Sequence, residues 1–171
     1  MKSKINKIVM AGLFIALVYL ATAFIRIPYP DATGAGQIHT GTAVVFIISV
    51  VFGPKMGAVS SLGMVLFNLT SPLVLWAPIN VIVRPVMALI FGSISHLRGA
   101  GGRKIWLNAV AAVAGGVWLV PAMLFGQMLV FQLPLAACIL PGVPNNSLQI
   151  VLALMLGLPS IKAINLHLKR F

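Results

Sequence analysis

Residues Arg26–Gly57, RIPYPDATGAGQIHTGTAVVFIISVVFGPKMG, interrupt the hydrophobicity of the chain and decide how the rest is read. The stretch holds a polar loop rich in Pro and Gly, a short apolar segment, and a tight Gly53-Pro54-Lys55 turn into the next apolar segment. The loop carries Asp31, the single acidic residue of the protein. Sequence on both sides is overwhelmingly apolar. A polar loop in that setting reads as a lid over a binding site at one membrane surface, with the other segments building the site beneath it.

Composition agrees. The 171 residues are 60% hydrophobic and 8% charged, with a mean hydropathy of +1.08, which is more apolar surface than a soluble core of this size can use. The runs are long and lack the alternation of a membrane barrel, so the chain reads as an all-α integral membrane protein forming one transmembrane domain, residues 1–171. A net charge of +11 is of the size that nucleic-acid binders carry, but the basic residues sit at the ends of apolar runs and form no patch interleaved with aromatics. Cys138 is the lone cysteine, so it offers neither a disulfide nor a metal cluster and reads as a small packing residue.

Six spans follow in order. The first covers about Ile5 to Ile25, stopped by Pro28 and Pro30; no small-x-small cleavage site turns it into a signal peptide. The second, Gly41 to Phe52, is too short to cross as a straight helix and must tilt or be shielded by neighbours. The third runs from Met56 to Leu69, the fourth from about Pro78 to Leu97, and the fifth from Ile105 to Phe131. A loop with Pro134, Pro141 and Pro144 leads to the sixth, Asn145 to Leu166, before the basic tail His167 to Phe171. With both termini cytoplasmic, Lys2, Lys4, Lys7, Lys55, Arg98, Arg103, Lys104, Lys162, Lys169 and Arg170 all fall on the inner side, which leaves only Arg26 and Arg84 for the outer half. That charge asymmetry supports six crossings of the cell membrane.

On this topology the uncharged polar side chains collect near the outer ends of the spans: Asn68, Asn80, Gln127, Gln132, Asn145, Asn146 and Gln149. Arg84 lies one turn deeper than Asn80 on the same helical face, and Asn145 and Gln149 repeat that spacing. Pro85 should release the carbonyl of Val81 as an extra acceptor. The sum is a polar pocket open to the outside, to which Gln37, His39 and Thr42 add from the loop and the second span. Each has a plainer reading. Single amides can serve helix packing, Asn145 and Asn146 can cap a helix, and Arg84 can snorkel. Trp76 and Tyr29 can stack on a ligand ring or anchor the interface, and lone His39, without partners at metal spacing, suits a loop hydrogen bond better than a metal. Gly12 and Ala16, and Gly53 and Gly57, have the small-xxx-small spacing that lets a helix approach closely, inside the bundle or from a partner.

RIPYP, GQIHTGTAVVF, VVFGPKMGAVSSLG and WAPINVIVRP, behind a basic N-terminus and a small-xxx-small first span, together resemble the substrate-binding S component of energy-coupling-factor (ECF) vitamin transporters. The resemblance spans nearly the whole chain and is most specific from Arg26 to Gly63. It implies a six-helix S-component fold that captures a vitamin at the outer face and joins a membrane coupling subunit and two cytoplasmic ATPases. It also implies that Gly12 and Ala16 meet the coupling subunit. Thr42 stands where many relatives carry Asp.

No Walker motif and no nucleophile-base pair is present, so the expected mechanism is binding without catalysis, cofactor or metal, driven by partner ATPases. With Arg84 in the pocket and one acid in the chain, the expected ligand is neutral or anionic: pyridoxine-like, pantothenate or a hydroxymethylpyrimidine, with riboflavin less favoured. A stand-alone secondary carrier and a non-transporting membrane assembly protein are the alternatives.

Overall fold

The computed structural model describes residues 2–31, 33–34 and 36–168. Lys169, Arg170 and Phe171 of the basic tail, and Ala32 and Ala35 of the lid loop, lie outside the described residues, as does the side chain of Lys2. The architecture is an all-α bundle with one small hairpin. Helix α1 covers Lys2–Phe24, then β1 (Arg26–Pro28) and β2 (Gln37–His39) form the hairpin. There follow α2 (Gly41–Phe52), α3 (Pro54–Ser60), α4 (Leu62–Leu69), a short 3-10 turn at Val74–Trp76, α5 (Ala77–Ser95), α6 (Ile105–Phe131) and α7 (Leu135–Leu168). Four stretches, Lys4–Phe24, Val74–Ser95, Ile105–Phe131 and Leu135–His167, are long and apolar enough to cross a membrane. The chain is therefore an all-α membrane protein.

Helix α2 is the short segment, and its neighbours shield most of its surface. It packs against α7, α3, α1 and α5, and eight of its residues, from Gly41 to Val50, are buried. Phe46 meets Phe91 of α5 edge-on with ring centroids 5.1 Å apart, at the centre of the core. The turn out of α2 is made by Gly53 at φ 92°, followed by Pro54 in the first turn of α3, as a fixed proline φ favours. The third span is interrupted at Ser61, where consecutive serines bond back onto their own helix: Ser60 Oγ donates to the Gly57 carbonyl at 2.8 Å and Ser61 Oγ to that of Ala58 at 2.7 Å. Gly57 packs against Ser49 of α2, so this small-residue pair serves the interior of the bundle.

Two expectations need correction. The segment between Arg26 and Thr40 is more than a loop. Arg26 pairs with His39, Ile27 with Ile38 and Pro28 with Gln37 in antiparallel register, extended by Tyr29 N–H to the Gly36 carbonyl at 2.9 Å and Thr40 N–H to that of Ile25 at 3.1 Å. The last helix also starts ten residues earlier than the prolines suggest, at Leu135 rather than Asn145, with Pro141, Pro144 and Pro159 inside it. Proline breaks helices in water, but within a membrane protein the freed backbone groups are tolerated where neighbours shield them. Asn145 and Asn146 are thus mid-helix residues and cap nothing.

Candidate functional site

Beneath the hairpin the ends of α1, α4, α5 and α6 and the middle of α7 surround one cavity. Gln37, His39, Asn68, Trp76, Asn80, Arg84, Gln127, Asn145, Asn146 and Gln149, all expected from the sequence, line it; so do Thr22, Gly36, Met64, Leu73 and Met123, which were not. Thr42 stands behind the wall and touches it through hydrogen bonds. Gln132 stays outside, in a left-handed conformation at the C-terminus of α6. Near Pro85, Trp118 Nε1 donates to the carbonyl of Val83 at 3.0 Å.

Arg84 organises the polar wall. It is 2% exposed, and its guanidinium is held by neutral oxygens from three helices. Nε donates to Asn80 Oδ1 at 2.9 Å, while Nη1 donates to Thr42 Oγ1 at 3.0 Å and to Gln149 Oε1 at 3.3 Å. The network continues on both sides: Asn80 Nδ2 donates to Asn68 Oδ1 at 2.7 Å, Thr42 Oγ1 to Gln149 Oε1 at 2.9 Å, and Gln149 Nε2 to Asn145 Oδ1 at 3.3 Å. One connected chain therefore joins α4, α5, α2 and α7. Nη2 makes no hydrogen bond among the described residues, so the guanidinium keeps donor capacity. Asp31, the sole acid, accepts from the backbone N–H and hydroxyl of Thr33 at 2.9 and 2.6 Å within its own turn.

Two further buried atoms at the cavity, His39 Nδ1 and Trp76 Nε1, lack a partner among the described residues. Burial above all, then the charges of Arg84 and Arg26, lowers His39 from its ordinary 6.5 to about 3, so the ring is neutral at physiological pH. Trp76 is buried against Phe131, centroids 5.0 Å apart, so its ring faces the interior of the bundle. Gln37 is tied to the hairpin's other strand by Arg26 Nη1 at 3.2 Å, and Arg26 in turn lies over the Phe67 ring at 5.2 Å. Asn146 Nδ2 bonds the Gly142 carbonyl at 2.8 Å. Among the described residues no group of His, Cys, Asp and Glu is arranged to hold a metal.

Gly12 and Ala16 lie far from this site, on the exposed face of α1, where a Cβ on Gly12 would meet nothing within 4 Å. The opposite face of α1 is packed on α4, with Gly63 against the Ile15 carbonyl.

Such a site can bind a polar ring through amides, a guanidinium and an indole, and its side chains form no nucleophile-base pair among the described residues. No curated protein matches the chain. The family model for the ECF-type riboflavin transporter, S component, matches residues 2–166, which include every residue that lines the cavity, and the chain belongs to that family.

Proposed function

We propose that this chain is the membrane-embedded subunit that captures a small water-soluble vitamin beneath the Arg26–His39 hairpin and delivers it for uptake powered by partner ATPases. In this reading α2 and the α3–α4 pair complete six crossings, both termini face the cytoplasm, and the hairpin faces outward. The observation that carries it is Arg84: a guanidinium buried within a membrane helix is costly, and here it is held only by neutral oxygens with donor capacity unspent. A neutral ring carbonyl or an anionic group of the ligand completes it.

The cavity holds about 40 Å3, room for roughly three water molecules. A vitamin therefore enters only when the hairpin lifts and the side chains part, which makes the hairpin a lid. The family description brings riboflavin to the front of the ligands to test, and a flat ring edged with carbonyls and N–H groups suits amides that donate and accept. Pyridoxine-like compounds, pantothenate and a hydroxymethylpyrimidine carry the same kind of edge or an anion for Arg84. The partners in this reading are a membrane coupling subunit, docked on the Gly12–Ala16 face, and two ATPases.

Thermal stabilisation of the purified protein against a vitamin panel tests the binding role. Stabilisation by at least one neutral or anionic vitamin is expected; none across the panel would return the chain to a non-transporting assembly role. Uptake in vesicles that persists without nucleotide would instead make it a stand-alone carrier.

A further inference from the structure

The other end of the bundle carries a second cavity, of about 270 Å3, between the glycine-rich turn before α6, the first turns of α6 and the last turns of α7. Asn108 lies on its wall, on the same helix as Gln127 but roughly 28 Å away along the axis. It is 1% exposed. Its Nδ2 donates to the Gly102 carbonyl at 2.8 Å, and Asn165 Nδ2 reaches the same carbonyl at 3.1 Å. The bond to a carbonyl fixes which end of the Asn108 amide is the nitrogen, and so leaves Oδ1 as a buried acceptor with no partner among the described residues. An occupant of this cavity that carries a hydrogen-bond donor would satisfy it.

The rest of the lining calls for an anion beside that donor. Arg103 and Lys162 are exposed at the rim, and the sole acidic residue of the chain lies in the hairpin at the opposite end. The free N–H groups that open α6 add partial positive charge on the same side. Ile105 and Leu166 complete the wall, and both are more than half exposed on a helix surface that meets acyl chains.

We propose that this cavity is a binding site for an anionic phospholipid whose headgroup carries hydroxyls, such as a glycerol headgroup. Its phosphate lies against Arg103 and Lys162, a headgroup hydroxyl donates to Asn108 Oδ1, and an acyl chain runs along Ile105 and Leu166. A zwitterionic choline lipid offers no such donor and no net charge.

Native mass spectrometry of the full chain, released from detergent with equal phosphatidylglycerol and phosphatidylcholine, reads this directly. The expected result is retention of phosphatidylglycerol over phosphatidylcholine by roughly thirtyfold, the scale that two basic side chains near a membrane surface confer. Arg103→Gln with Lys162→Gln should bring the two lipids to parity, and Asn108→Leu should lower phosphatidylglycerol retention while leaving phosphatidylcholine unchanged. Parity in the unmodified protein, or a preference that survives the double substitution, overturns the proposal. Equally tight retention of soluble glycerol phosphate also overturns it, since the occupant would then be a free phosphate ester. Should Asn108→Leu fail to fold, as judged by circular dichroism and melting, the double variant decides alone, because both of its positions are exposed.

Discussion

Arg84 Nε donates to Asn80 Oδ1 at 2.9 Å, one turn apart on α5, and the same Asn80 passes its Nδ2 hydrogen to Asn68 Oδ1 on α4 at 2.7 Å. Asn80 therefore acts in both directions, as acceptor for the guanidinium and donor to the next amide. Arg84→Gln should weaken binding of a neutral or anionic vitamin by about 10- to 100-fold, the range of one hydrogen bond to a charged group. Arg84→Lys should rescue little, because an ammonium cannot reach Asn80, Thr42 and Gln149 from one rigid plane as the fork does. Isothermal titration with the stabilising vitamin checks both variants. Tight binding of a permanently charged cation such as thiamine, unchanged in Arg84→Gln, would falsify the charge argument.

His39 gives the site a pH dependence of defined sign. Buried and near Arg84 and Arg26, its ring titrates at about 3 in the closed state against an ordinary 6.5, so between those values the lifted hairpin binds the extra proton. Closure is then fully favoured above pH 6.5 and loses its advantage as pH falls. With a ligand that does not itself titrate in this range, the off-rate should rise by at most roughly tenfold per pH unit below about 6.5. Stopped-flow release at about pH 7.5 and about pH 5.5, on either side of the ordinary histidine value, measures it. His39→Gln should flatten the profile; an identical slope in that variant excludes His39 as its source.

Polar residues were the legible part of this molecule. An amide or guanidinium inside an apolar run stands out, which is why Asn68, Asn80, Arg84, Gln127, Asn145, Asn146 and Gln149 are readable in the sequence as one layer. Met64 and Met123 line the same cavity but are ordinary apolar residues in apolar spans, and nothing in the sequence separates them from core. Thr22 was findable as a polar residue at the end of the first span; its hydroxyl, however, is spent on the Val18 carbonyl at 2.8 Å. The early start of α7 was hidden because Pro141 and Pro144 break helices by rules that hold in water. The hairpin was hidden because three paired residues on each side, one of them Pro28, are too few to show alternation.

The hairpin depends on a close approach at Gly36. A Cβ there would lie 2.7 Å from Asp31 Cγ and against the Tyr29 carbonyl, the segment that holds the two strands together. Gly36→Val should raise the ligand off-rate without changing the melting temperature of the ligand-free protein, because the bundle core is remote from the turn. If the substitution instead abolishes folding, and protein rescued at low temperature binds with unchanged affinity, the hairpin is a structural strut and not a lid.

Helix α1 presents two faces with opposite demands, and small residues on each should fail in different assays. On the inner face a Cβ at Gly63 of α4 would lie 2.8 Å from the Tyr19 amide nitrogen and 2.9 Å from Val18 Cβ, and it would strike the Ile15 carbonyl. Backbone gives way less readily than a side chain, so Gly63→Ala should destabilise the isolated protein by at least the 1–3 kcal/mol or so typical of overpacking, read as a lower melting temperature. On the outer face Gly12 has open space and Ala16 is exposed, so Gly12→Leu with Ala16→Leu should leave melting and vitamin affinity as they were. The double substitution should abolish co-purification with the coupling subunit, since leucines would hold the partner helix away. Retained co-purification and nucleotide-driven uptake in that variant would move the docking face elsewhere on the bundle.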